Sequence, residues 1–230
     1  MFGNYLKYGL IILTAVLLDG QSLLAGDFFK GLFKNRSSIE GSGNIITETR
    51  TLNSFNEIVT SGAFELYIEV GKEPNLKITF DDNLIDIIET RVRGKTLKID
   101  NEESYSSDHP CKIDITVPSL EALALYGSGD VEIVNLNGDI FEGTIAGSGN
   151  LLIQGKVREV ELQISGSGEI DARSLIAEEA FVKISGSGDV KVFAEENFDG
   201  RVSGSGSIYY YGEPKSLSTN VSGSGRIKKR

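Results

Sequence analysis

From Leu123 onward, apolar residues recur at every second position around a repeated triplet. Gly-Ser-Gly stands at Gly127-Ser128-Gly129, Gly147-Ser148-Gly149, Gly166-Ser167-Gly168, Gly186-Ser187-Gly188, Gly204-Ser205-Gly206 and Gly223-Ser224-Gly225, with spacings of 20, 19, 20, 18 and 19. Two residues before each triplet come Leu125, Ile145, Ile164, Ile184, Val202 and Val221. Two residues after it come Val131, Leu151, Ile170, Val190, Ile208 and Ile227. The alternation continues through Ile133, Ile153, Ala172, Val192 and Tyr210 on one side, and Leu123, Gly143, Leu162, Val182, Gly200 and Thr219 on the other. A period of two predicts strands. Each repeat then supplies one strand entering and one leaving a Gly-Ser-Gly corner, with a less regular second corner such as Asn137-Gly138-Asp139 or Ala177-Glu178-Glu179.

One such unit cannot bury its inward face alone. Stacking equivalent strands coil on coil aligns each apolar column about 4.8 Å apart and buries it. The expected fold is therefore all-β: a parallel β-solenoid, or β-helix, of about 19-residue coils, regular over residues 119–230. The corner glycines carry the structural role, because a tight bend needs positive φ and close approach between coils, both obstructed by a Cβ. Serine between them can satisfy neighbouring backbone groups.

Residues 41–118 vary the same theme. Gly41-Ser42-Gly43 opens the region, and Thr60-Ser61-Gly62-Ala63-Phe64-Glu65-Leu66-Tyr67-Ile68 parallels the run from Ile184 to Val192, with Phe64 in place of the second glycine. Further alternating runs lie at Leu76 to Phe80, Thr96 to Ile99 and Lys112 to Val117. Between them, Asp82 to Ile88 has an N-cap candidate and helical spacing, which predicts one short helix covering an end or a face of the β-core.

Composition narrows the partners. The chain has 230 residues, 33 acidic against 23 basic, a net charge of −10 and a pI near 4.7, so nucleic acid is not an expected partner. With one Cys, one His and one Met, chemistry built on several His or Cys ligands is excluded within one chain, and no internal disulfide can form. Before the repeats, Leu10 to Leu18 form an apolar run after Lys7, and Ala25-Gly26 offer a small-residue cleavage site. Residues 1–26 thus read as a secretory signal, with 27–40 as a linker and no cysteine for lipid attachment. The expected location is exported, in the periplasm or on the cell surface, with secretion open.

The GSGD and GSGN corners, the run TSGAFELYIEVG, the segment DDNLIDIIETRV and the junction KIDITVPSLEALALYGSGDV together resemble one bacterial family. Its description is "Putative auto-transporter adhesin, head GIN domain", and the resemblance spans about residues 41–228. It implies an exported β-helical protein, mostly from Bacteroidota-like bacteria, and through its name adhesion. It brings no catalytic or ligand-binding residues to carry over. The sequence departs from the name at Arg230, five residues after the last corner, where no translocator barrel follows, so autonomous transport is not expected.

Candidate chemistry is sparse. The residue after each corner forms a column of Asp130, Asn150, Glu169, Asp189, Ser207 and Arg226. With one acid per corner and a period twice that of calcium-binding β-rolls, this column reads as solvated, and no metal or cofactor is expected. Asp108-His109-Pro110-Cys111 reads as an ordinary loop with an idle thiol. Glu178-Glu179 and Glu195-Glu196 are the nearest approach to a glycosidase pair, yet adjacent turn glutamates are usually solubilising charge; no catalytic residue is assigned. In Tyr209-Tyr210-Tyr211, alternation sends Tyr210 inward and leaves Tyr209 and Tyr211 outside as candidate ligand contacts. Lys228-Lys229-Arg230 is a basic, solvated tip.

The expected function is non-enzymatic: an adhesin-like protein whose rigid repeated face binds an unidentified macromolecule, glycan or protein, in the cell envelope. The alternatives are a glycan-binding or glycan-processing protein on the same scaffold, and a purely structural periplasmic protein. Open solenoid ends also raise self-association through ends or edges.

Overall fold

A computed structural model describes residues 38–230. The expected signal (1–26) and all but the last residues of the expected linker (27–40) lie outside the described residues. The elements begin with β1 (Ile39–Glu40), β2 (Ile45–Arg50), β3 (Glu57–Gly62), β4 (Glu65–Val70) and β5 (Asn75–Asp81). After a 3-10 turn (Ile85–Ile87) follow β6 (Ile88–Arg93), β7 (Thr96–Asn101), β8 (Tyr105–Ser106), β9 (Lys112–Val117) and β10 (Ala122–Gly127). The long strands are β11 (Asp130–Gly147), β12 (Asn150–Gly166) and β13 (Glu169–Gly186). Last come β14 (Asp189–Phe193), β15 (Asn197–Gly204), β16 (Ser207–Tyr211), β17 (Ser216–Gly223) and β18 (Arg226–Lys229).

The parallel β-solenoid is realised through two long sides. On the side entering the corners, β7, β3, β10, the second halves of β11, β12 and β13, then β15 and β17 pair in parallel. On the side leaving them, β9, β4, the first parts of β11, β12 and β13, then β14, β16 and β18 do the same. Gly62, Gly127, Gly147, Gly166, Gly186, Gly204 and Gly223 stand in one register column, so the Thr60–Ile68 run does form a coil of the stack.

The two glycines of a corner are needed for different reasons. The first of each triplet has positive φ, 132° at Gly186 for example; from Gly127 to Gly186 its carbonyl accepts the backbone N–H of the next coil's serine, as in Ser205 to Gly186 at 2.9 Å, and Gly204 accepts from Gly225 instead. The serines contribute through this N–H, while their side chains stay exposed. The second glycine has ordinary φ but no room: a Cβ on Gly188 would stand 2.5 Å from the Gly168 carbonyl oxygen and 2.7 Å from Ile164 Cγ2.

Inward columns fill the core. Leu66, Val131, Leu151, Ile170, Val190 and Ile208 align on one side, and Leu125, Ile145, Ile164, Ile184 and Val202 on the other, all buried. Gly143 and Gly200 occupy apolar positions because aromatic rings two residues earlier take the volume. A Cβ on Gly200 would meet the Phe198 ring at 2.7 Å, and one on Gly143 the Phe141 ring at 3.3 Å.

Three expectations need correction. The single second corner is a short third side: Leu136–Gly138 pairs with Gly155–Val157, which pairs with Leu175–Ala177, after register breaks following Ile133 and Leu152. Asn135, at φ 59°, turns the chain there. Gly41-Ser42-Gly43 stays out of the corner stack and is clasped by acids: Gly43 N–H donates to Asp81 (2.6 Å), and the Ser42 hydroxyl and Asn44 amide donate to Asp82. The Ser107 hydroxyl and that Gly43 N–H hold the Asp81 carboxyl below its ordinary value.

The expected short helix is likewise absent; among the described residues there is no α-helix, only the Ile85–Ile87 turn. Asp82 spends its carboxylate on the Ser42–Asn44 loop instead of capping, and Ile88 is already extended as β6 begins. Seven residues are too few for a helix to stand without caps.

The first coils end in antiparallel strands: β5 runs against β9, β2 against β5, and β6 against β7. Arg50 on β2 points inward and closes this end. Its guanidinium donates to the carbonyls of Ile88 and Ile85 and to the Thr90 hydroxyl, and pairs with Glu48 at 2.6 Å. Inward-pointing charge of this kind protects a sheet edge.

On the outer surface of the entering side, Ala122 stands between Glu57 and Glu142, and Glu142 pairs with Glu161. Lys95 neutralises Glu57 at 3.0 Å. Partial burial pushes the Glu142 carboxyl up to about 7, with added repulsion from Glu161 and Glu57. Glu161 is raised too, by burial and then Glu159.

Replacing Gly168 or Gly188 by valine should cost about 3 kcal/mol or more, whereas replacing Glu169 or Lys191 should cost less than about 1 kcal/mol; thermal melts separate the two classes. Because Glu142 binds its proton more tightly when folded, its contribution is full below the ordinary glutamate range and is lost as pH rises through about 7. Between about pH 5 and about pH 8 the wild type should lose more melting temperature than Glu142→Gln; parallel curves would show that Glu142 titrates normally.

Candidate functional site

Parallel, in-register pairing turns every outward position into a straight column, because a strand's side chains alternate between faces. On the side leaving the corners, one column reads Lys112, Glu65, Asp130, Asn150, Glu169, Asp189, Ser207 and Arg226. The column beside it reads Asp114, Tyr67, Glu132, Leu152, Asp171, Lys191, Tyr209 and Lys228. Acids crowd the early rungs and bases the last, so the face runs from negative to positive over about 34 Å at 4.8 Å per rung.

At the acidic end these columns form an open groove of about 490 Å³. Its walls are Lys112, Asp114, Glu65, Asp130, Glu132 and Asn150, and its apolar contacts are Tyr67 and Leu152, exposed at 40% and 36%. The Asn150 amide donates to Asp130 at 2.8 Å, and Lys112 stands 3.8 Å from Glu65, so the polar rim is held in place. A ring and an alkyl group between carboxylates and an amide suit a ligand with an apolar face and several hydroxyl or amino donors.

Sequence reasoning missed this groove. The signal was available: Tyr67 and Leu152 fall at outward positions of alternating runs, where a polar residue is the rule. Tyr209 and Tyr211, which alternation directs outward, lie on the same face. Tyr209 is half-buried between Lys191 and Lys228, with the Arg230 guanidinium 5.0 Å above its ring. Tyr211 is half-buried beside its register partner Phe193. Tyr210 points inward and stacks on Phe198 at 4.7 Å. Tyr67 and Tyr209 share a column but stand five rungs, about 24 Å, apart.

The column after the corners finds donors within the chain. Lys191 sets its ammonium 2.5 Å from Glu169, and the Ser207 N–H donates to Asp189 at 2.8 Å. The repulsion between stacked Glu169 and Asp189 is thus relieved by a side-chain cation. Among the described residues, no group of three or more His, Cys, Asp or Glu side chains is placed to hold a metal.

Cys111 is buried in the core, which pushes its thiol up to about 12, while His109 is exposed, so the two are not joined as nucleophile and base. Glu179 lies 3.6 Å from Arg158 and Glu196 2.7 Å from Lys215, each balanced by a base. At the basic tip, Lys229 pairs with Glu213.

Comparison with solved structures finds the same architecture in proteins from Bacteroides and Parabacteroides. A putative adhesin from Bacteroides fragilis NCTC 9343 superposes with a TM-score of 0.69 at 28% identity, covering 84% of this chain and 100% of that one. A protein from Parabacteroides distasonis ATCC 8503, described as a putative lipid binding protein, has a TM-score of 0.57 at 28% identity with the same coverage. A putative adhesin from Parabacteroides merdae ATCC 43184, at 21% identity and a TM-score of 0.59, shares the fold over 84% of this chain and 99% of its own. No curated protein matches the chain. The model of the family described as "Putative auto-transporter adhesin, head GIN domain" matches residues 54–214, the stretch that holds the corner stack from Gly62 to Gly206 and the groove, and the chain belongs to that family.

Proposed function

We propose that this protein is an exported, non-enzymatic, adhesin-like protein that binds its partner through the outer face leaving the glycine corners. The observation that carries this reading is the groove around Tyr67 and Leu152: apolar side chains at outward positions, ringed by carboxylates and an amide on in-register strands. Membership of an adhesin-named family, and adhesin-named proteins of the same fold, support it. A glycan fits the groove best, since sugar rings offer an apolar face and a rim of hydroxyl donors that matches the lining. Each contact is weak, but the strands hold the groups at fixed spacing before the ligand arrives, so little ordering is lost on binding.

On an array of bacterial and host oligosaccharides, Tyr67→Ala should weaken binding about tenfold, the loss of roughly 1.4 kcal/mol. Tyr209→Ala should change it less, because Arg230 covers that ring. Retention of full binding by Tyr67→Ala rejects the groove, and oligosaccharide release abolished by Glu179→Gln would overturn the non-enzymatic reading.

Protease treatment of intact cells should release fragments of residues 38–230 while a periplasmic control protein survives. Protection until the outer membrane is opened would point to an internal envelope role.

A further inference from the structure

The two ends of the solenoid are built differently. At the first coils the edge strands carry charge: β2 has Glu48 and Arg50, and β6 has Glu89, Arg91 and Arg93. At the last coil, β17 forms the edge of the entering side with the run Ser216-Leu217-Ser218-Thr219-Asn220-Val221-Ser222-Gly223, which has no charge, no proline and no bulge. It has none of the devices that keep an edge from pairing. All eight residues are exposed, and among the described residues only β15 pairs with it.

Its inward side chains continue the core columns into solvent. Leu217 follows Phe198 and Val221 follows Val202; those predecessors are 0% and 2% exposed, whereas Leu217 and Val221 are 54% and 43% exposed. Thr219 lies between them in the column of Gly200. The strand is symmetric about Thr219. In an antiparallel pair centred there, Leu217 of one copy meets Val221 of the other, Thr219 meets Thr219, Ser218 meets Asn220, and Ser216 meets Ser222.

We propose that β17 is a self-complementary edge that joins two copies of this chain tail to tail. The two-fold axis passes midway between the two facing Thr219 residues along the normal to the entering side, so inward faces stay inward and the two cores become continuous. The same rotation carries the basic β18 of the second copy to the opposite corner, which separates the two sets of Arg226, Lys228 and Lys229. Head-to-tail stacking would instead set uncharged β17 against the charged edge β6, or basic β18 against β2 with its inward Arg50. The occupant is therefore a second copy, and the assembly closes as a dimer instead of growing into a fibre. This inference does not depend on the groove.

The test uses the full chain, purified after export from a bacterial host, with light scattering during size exclusion. The wild type should show the mass of two chains, and Thr219→Lys, which sets two ammonium groups face to face, the mass of one. Thr219 is exposed in the single copy, so under dilution to the monomer both proteins should melt alike. Cys111 is buried, which leaves an introduced thiol as the reactive one. Under mild oxidation Thr219→Cys should form a disulfide-linked dimer, while Ser216→Cys should not, because its copies would lie about 20 Å apart along the strands. A wild type of single-chain mass at every concentration overturns the proposal. So does a doubled mass that persists in Thr219→Lys, or equal crosslinking at Ser216→Cys.

Discussion

At each corner the carbonyl of a glycine in one coil accepts N–H groups from the next, with the two backbones closer than any Cβ would permit. Ser187 and Gly188 both donate to Gly166, at 2.9 and 3.2 Å, and Asp189 donates to Gly168 at 3.1 Å. This contact fixes the register of everything on either side of it. A slip of one residue would turn Ile184 and Val190 outward together, so the corner decides which side chains are core and which are surface. Because the strands leave it in register, outward residues from distant parts of the sequence line up as columns, which is how Tyr67, Glu132 and Leu152 come to share one groove.

Where the sequence was legible, the cause was local and repeated. The period of the triplets and the alternation around them required a stack, and even the drifted coil at Thr60–Ile68 kept enough of the pattern to be seen. Phe64 could replace a second glycine because it stands near the start of the column, with Gly129 above it as the residue that must stay small; a Cβ there would meet the Phe64 carbonyl oxygen at 2.6 Å.

What the sequence hid was decided by partners far away in the chain. Nothing in Leu76–Phe80 states that it runs antiparallel to Lys112–Val117, since alternation is the same in either direction. The helix expected at Asp82–Ile88 failed because the aspartate serves Ser42 and Asn44, some forty residues earlier. The groove was half legible: parity exposes Tyr67 and Leu152, but their adjacency needs the coil register. Tyr209 shows the converse, a residue whose outward direction follows from alternation while its cover by Arg230 does not.

Each coil adds one rung to every column at the same time. A change of one or two residues inside a coil must be absorbed away from the corners, as the spacings of 18 to 20 show it is. A whole extra coil would disturb nothing, because the next glycine meets the same carbonyl it met before. The protein can therefore change length only in steps of one turn. Each step extends the outer face by about 4.8 Å and leaves the existing surface unaltered. Reach, in this architecture, is a quantity that gene duplication can adjust without redesigning the fold.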